Sequence, residues 1–276
     1  MDLVQLIILA IVQGITEFLP VSSSGHLIAV GELLAALGRA PLQDQLTVNV
    51  LLHAGTLGAI LIFYGGEIRR VLGKDRRVIG PIIVGTIPIG VVGVSIKKLL
   101  PDATGDWIET HLLESPVVAG VMFLATAALL IFSARRKPGE VEFPDVGYGA
   151  ALLIGCVQSL AILPGLSRSG ATIAAGLLLG LSRKAAATFS FFLAIPAIAG
   201  ATAVELVDVF DASGTSAAAN NPLELSIATL VAFVVGMGAL ILLVRLVLSG
   251  KLHYFAWYLV PLGVAMLVWK LPELLG

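Results

Sequence analysis

The chain has 276 residues, 58% of them hydrophobic and only 13% charged, with a formal net charge of −1. A soluble domain would be near half apolar and about a quarter charged, and the excess runs along the whole chain at a mean hydropathy of +1.00, which excludes a soluble domain on a single anchor. The charge gives no support to a nucleic-acid partner, and a single cysteine, Cys156, excludes an intrachain disulfide and reads as packing.

In chain order, Met1-Asp2-Leu3 lacks the basic stretch of a cleaved signal peptide and is expected to belong to the fold. Leu3 to Val12 then leads into Gly14, Pro20 and the run Ser22-Ser23-Ser24-Gly25-His26, followed by Leu27 to Leu37, a helix–loop–helix with arms too short to span. Three full spans come next, at Gln45 to Tyr64, Val78 to Ile96 and Pro116 to Ser133. A second broken region follows. Val146 to Leu163 runs into Pro164-Gly165-Leu166-Ser167-Arg168-Ser169-Gly170, and Ala171 to Leu181 completes it. Spans at Ala185 to Glu205, Leu225 to Leu248 and Tyr254 to Leu271 finish the chain. Unbroken apolar character without period-2 alternation favours helices over a barrel.

Charge sets an expected orientation. Arg69, Arg70, Lys74, Arg76 and Arg77 follow the first full span, Arg135, Arg136 and Lys137 the third, Arg183 and Lys184 precede the fourth, and Arg245 and Lys251 lie between the last two. The positive-inside rule places these in the cytoplasm. The opposite loops carry Asp102, Asp106, Glu109, Glu114, Asp208, Asp211 and Glu224, with Lys97 and Lys98 as the contrary pair. The two broken regions then enter from opposite faces as re-entrant hairpins. Gln13 and Gln158 stand 145 positions apart, and the same offset relates Ser22 to Ser167, Ser24 to Ser169, Gly25 to Gly170 and Gly55 to Gly200. The expected fold is therefore an all-α polytopic membrane protein, one integral domain built as an inverted repeat (residues 1–133 and 147–272) with six transmembrane helices and two hairpins. Such repeats commonly place a site where broken helices meet near the midplane.

Two charges lie inside these breaks. Glu17 and Arg168 each stand in an apolar run without an opposite charge nearby in sequence, and an unpaired charge at membrane depth costs at least about 2.5–3.5 kcal/mol. One shared wet cavity would satisfy both; a purely structural ion pair is the plainer alternative. Around them are Ser22, Ser23, Ser24, Ser167, Ser169 and Thr172, with Gly25 and Gly170 allowing backbone N–H groups to approach closely. Hydroxyls and a guanidinium suit anionic oxygen, phosphate above all, although small residues also serve simply to pack membrane helices. Gln13 and Glu17 share a helix face, and His26 ends the serine run. A carboxylate, an imidazole, hydroxyls and an arginine together suit phosphoryl transfer. His53, before Ala54-Gly55-Thr56, reads equally well as functional or as core.

The stretches Gln13-Gly14-Ile15-Thr16-Glu17 through Ser22-Ser23-Ser24-Gly25-His26, and Pro164-Gly165-Leu166-Ser167-Arg168-Ser169-Gly170-Ala171-Thr172, resemble the two signature motifs of the bacterial undecaprenyl-diphosphate phosphatase family, also called the bacitracin-resistance protein family. The resemblance covers nearly the whole chain. It implies hydrolysis of a C55 polyprenyl diphosphate, the lipid on which bacitracin also acts, to the monophosphate carrier of cell-wall synthesis. The implied setting is the bacterial inner membrane, with a site open to the periplasm. The implied catalytic group is Glu17, Ser23, His26 and Arg168. The implied phosphate-binding set is Gln13, Ser22, Ser24, Gly25, Ser167, Ser169, Gly170 and Thr172. A divalent cation, Mg2+ or Ca2+, is implied as cofactor with Glu17 as its candidate ligand, Gln13 being the non-acidic variant at its position. A homodimer is one candidate assembly. The alternative function is a transporter or flippase for a phosphorylated lipid or small anion, which the inverted repeat would also suit.

Overall fold

Helices satisfy every backbone polar group internally, which is why apolar stretches of this length take that form in lipid. The computed structural model describes residues 3–38, 45–212 and 221–275, so Met1, Asp2 and Arg39 lie outside the described residues. Among the described residues there are no β-strands beyond one isolated bridge, Val141 to Leu181. The first hairpin is α1 (Leu3–Phe18) and α2 (Ser23–Ala36); α3 (Gln45–Phe63) and α4 (Gly65–Gly73) follow, and then α5 (Ile79–Val94), the short α6 (Asp102–Ile108) and α7 (Pro116–Ala134). The second hairpin is α8 (Tyr148–Leu160) and α9 (Arg168–Leu178), and α10 (Arg183–Ala212), α11 (Pro222–Leu248) and α12 (Ala256–Leu275) close the chain.

Five helical segments are long and apolar enough to cross a membrane, and a sixth span results if α3 and α4, bent by 66° across Tyr64, count as one. Ile62, Val91, Leu230 and Val268 are all exposed on these spans, as residues facing acyl chains must be. The predicted spans are found with small shifts at their ends. The largest is at α10, which continues through Asp208 and Asp211 rather than ending before them; their side chains lie outside the described residues.

At 16 and 13 residues, α1 and α8 are about 24 and 20 Å long at 1.5 Å per residue, short of a hydrocarbon core of about 30 Å. The breaks fall later than the sequence suggests. Gly14 does not interrupt α1, because it serves as a contact point: a Cβ there would come within 2.9 Å of the Ala232 carbonyl oxygen on α11. The serine runs are also less loop-like than expected. Ser23 opens α2 and Arg168 opens α9, each behind a serine N-cap, so the polar groups occupy the first turns of helices.

The hairpins start at equivalent positions, Leu3 and Tyr148, and their second arms at Ser23 and Arg168, again 145 residues apart. Packing repeats in the same sense: α1 lies along α11 as α8 lies along α5, while α7 and α12 pair with each other. One end of the bundle gathers the basic residues. Arg77 pairs with Asp145 at 2.9 Å, and Arg136, Arg183 and Gly250 line one small depression there.

Candidate active site

The site is built where the two second arms begin. At each, a serine caps the helix, as the sequence pattern of Ser followed by small residues favours. Ser22 Oγ accepts the Gly25 N–H at 3.4 Å, and Ser167 Oγ accepts the Gly170 N–H at 3.1 Å. The caps also tie the hairpins together. Ser22 Oγ accepts the Gly165 N–H at 3.0 Å, and Ser169 Oγ donates to the Leu19 carbonyl at 3.4 Å. Ser22 holds φ at +71°, the one positive value outside glycine among the described residues; such a conformation costs about 1–3 kcal/mol and persists only where its surroundings over-determine it. Gly165, at φ +88°, sits where any Cβ would run into the Ala119 backbone.

Glu17 ends α1 directly beneath this junction, 8% exposed. Its Oε1 accepts from Arg168 Nη2 at 2.9 Å. Its Oε2 accepts from Ser23 Oγ at 2.8 Å and from Gln13 Nε2 at 3.1 Å, with His53 Nε2 4.0 Å away. The two charges that lacked partners in sequence are therefore each other's partner, across 151 positions of chain. A plain ion pair would leave nothing over. Here Arg168 Nη1 and Gln13 Oε1 are buried without a hydrogen-bond partner, a cost of about 1–3 kcal/mol each that a ligand or water would remove.

A cavity of about 500 Å3 opens beside this cluster, with Gln13, Ser23, Ser24 and His53 on its wall and Glu32, Glu114 and Glu205 around it. Of the expected phosphate-binding residues, Gln13 and Ser24 line it along with Ser23. Ser22, Ser167, Ser169, Gly25 and Gly170 are instead engaged in the junction itself. Thr172 is turned toward α10, bonding the Arg168 carbonyl at 2.8 Å and Ser190 Oγ at 2.6 Å.

His26 is held from both sides. Its Nδ1 lies 2.7 Å from the Ser22 carbonyl oxygen, which can only accept, so that nitrogen carries the proton. In the neutral ring Nε2 then accepts from Tyr258 Oη, at 2.8 Å. Phe123 and Tyr258 pack on the ring edge and face. Tyr258 and Thr126 support the site from outside both sequence motifs. Thr126 Oγ1 donates to the Gly165 carbonyl at 2.9 Å and accepts the Ser167 N–H at 3.0 Å, bracing the second hairpin from α7. The available signal was a lone threonine in the middle of an apolar span. Tyr258 had none, since only folding brings it 232 positions back to His26.

As a cation site the donor set is thin. Glu17 is the one carboxylate at the centre and its oxygens already hold three donors, and among the described residues no three His, Cys, Asp or Glu side chains group to hold a metal.

A hydroxyl bonded to a carboxylate, beside an arginine with a nitrogen to spare, is an arrangement for attack on an anionic centre. The chain is 44% identical over 270 residues to a protein of Rhodopirellula baltica named undecaprenyl-diphosphatase, covering 98% of this chain and 99% of that one. Relatives of the same name from Desulfosudis oleivorans and Corynebacterium efficiens are 41% and 37% identical, over 95% and 98% of this chain and 97% and 92% of theirs. The family model described as bacitracin resistance protein BacA matches residues 6–265, all of the chain but the first turn of α1 and the end of α12, and the chain belongs to that family.

Proposed function

We propose that this protein is an integral-membrane phosphatase that hydrolyses undecaprenyl diphosphate to undecaprenyl phosphate and phosphate, returning the carrier lipid to cell-wall synthesis. The observation that carries the reading is the chain Ser23–Glu17–Arg168, at 2.8 and 2.9 Å, with Arg168 Nη1 left open. The terminal phosphate would bind Nη1 and the first turns of α2 and α9, whose N-terminal dipoles favour an anion. Ser23 Oγ attacks the terminal phosphorus and its proton passes to Glu17 Oε2. The bond from phosphorus to the bridging oxygen breaks, and lipid monophosphate leaves. Water then cleaves the phosphoserine. A divalent cation, Mg2+ or Ca2+, would arrive on the diphosphate with Glu17 as its candidate protein ligand, the sparing use of protein carboxylates that is usual for Mg2+ on substrate phosphates; when bound it would neutralise phosphate charge.

The site would face the periplasm, since its cavity is bordered by Glu114 and Glu205 and the basic residues gather elsewhere. The equivalent hairpins and the repeated packing support the inverted repeat of residues 1–133 and 147–272. Transport of an anion would use Arg168 and the helix ends but has no need of a serine bonded to a carboxylate. Phosphate release from a polyprenyl diphosphate by the purified protein tests the proposal. The expected result is release that Ser23→Ala abolishes; wild-type protein that releases no phosphate above a blank would overturn it.

A further inference from the structure

We propose that His53 is the catalytic base of the second half-reaction, taking a proton from the water that cleaves phosphoserine at Ser23. The inference rests on the covalent route just described, and it starts from a proton count. In the first step Glu17 receives the Ser23 proton. In the second, Ser23 Oγ leaves phosphorus and must be reprotonated, which Glu17 does by returning that proton. The attacking water loses a proton as its oxygen bonds to phosphorus, and Glu17, still protonated, cannot take it. A second base is required.

His53 is the base the structure supplies. It stands on α3, on the wall of the cavity that Ser23 and Gln13 also line. Its Nε2 is 4.0 Å from Glu17 Oε2, too long for a hydrogen bond but within ion-pair reach. Its Nδ1 is buried with no hydrogen-bond partner, so no hydrogen bond fixes the ring as a brace. The contrast with His26 is direct. That ring has both nitrogens engaged and two aromatic neighbours, which suits a brace and leaves no nitrogen for water. Of the other groups facing the cavity, Glu32 from α2 is paired with Lys270 at 2.7 Å. Glu114, ahead of α7, and Glu205 from α10 face the same space, and Arg168 from α9 lies on the far oxygen of Glu17. As the step completes, Glu17 becomes a carboxylate while His53 becomes an imidazolium, so the two charges form as a pair. The proton then passes to cavity water.

The test uses the full-length protein in detergent and a polyprenyl diphosphate labelled on its terminal phosphate, quenched within one turnover. His53→Asn should release one equivalent of lipid monophosphate, retain the label on Ser23 and lose steady turnover by about 10²–10⁴-fold, the usual contribution of a general base. The burst itself shows that the variant is folded and its nucleophile intact. In His53→Ala, added imidazole should enter the cavity and speed loss of label from Ser23 by about ten-fold or more, against a base contribution of that size. Steady turnover of His53→Asn within about three-fold of wild type, small against that same contribution, overturns the proposal whichever atom attacks. So does loss of turnover without trapped label, when rapidly quenched wild type does show phosphoserine. If neither protein ever carries label and Ser23→Ala stays active, the covalent route itself fails, and the role of His53 falls with it.

Discussion

Arg168 holds Glu17 with one guanidinium nitrogen and keeps another, Nη1, buried and open, so its planar fork can join carboxylate and phosphate at once. Lysine would keep the charge but not the fork. Arg168→Lys is expected to lower kcat/KM by at least about 10²-fold, the order found when one preorganised charge-stabilising donor is lost, while the protein remains monodisperse and membrane-inserted. Activity near that of wild type would make Arg168 a structural charge only. His26 shows the opposite arrangement, a titratable ring with both nitrogens engaged, one of them on the strained backbone at Ser22. Tyr258→Phe leaves its Nε2 without a donor and should destabilise the protein by about 1–3 kcal/mol, read as a lower thermal midpoint. Transfer of label to Ser23 should persist. An acid-labile phosphohistidine in place of phosphoserine would show instead that His26 attacks phosphorus.

Hairpins this short are held by the spans they lie along, α11 and α5, and they meet each other at their turns, where glycine sets how closely. At Gly25 an added Cβ would meet the Gly165 backbone nitrogen at 2.8 Å and Phe123 Cζ at 2.7 Å, whereas Gly31 on the same helix has nothing within 4 Å. Gly25→Ala should therefore separate the hairpins, costing about 1–3 kcal/mol by overpacking and most of the activity. Gly31→Ala should be neutral or stabilising by up to about 1 kcal/mol from helix propensity. Equal thermal midpoints for the two variants would show that the junction is not tight. This is also where sequence reading succeeded and stopped. The spans were legible because lipid imposes length and hydropathy, and the pairing of Glu17 with Arg168 because an unpaired charge is intolerable at that depth. The division of labour among the hydroxyls was not. Ser22 as clamp, Ser23 as partner of Glu17 and Ser167 as cap are the same residue type in similar runs, and only the folded contacts, to Gly165 and to Glu17, separate them. Gly14 looked like a break because its contact with Ala232 lies more than two hundred positions away.

Across the whole molecule, arginines gather at one end of the bundle. Arg77 with Asp145, and Arg136 beside Arg183, mark one region, while the cavity is bordered by Glu32, Glu114 and Glu205. If the basic region stays in the cytoplasm, as the positive-inside rule has it, the site would open outward, on the side where a carrier lipid would be left as diphosphate after delivering its load. Thiol labelling decides the orientation. Cys156 is exposed, so the background is Cys156→Ser, into which Glu114→Cys and Lys137→Cys are introduced singly; both positions are exposed. A membrane-impermeant maleimide should label Glu114→Cys in intact spheroplasts and Lys137→Cys only after permeabilisation. Because Glu114 borders the cavity, labelling there should also block phosphate release, which labelling at Lys137 should not. The reverse labelling pattern would place the site on the cytoplasmic face, and the enzyme would then act on lipid that has already crossed the membrane.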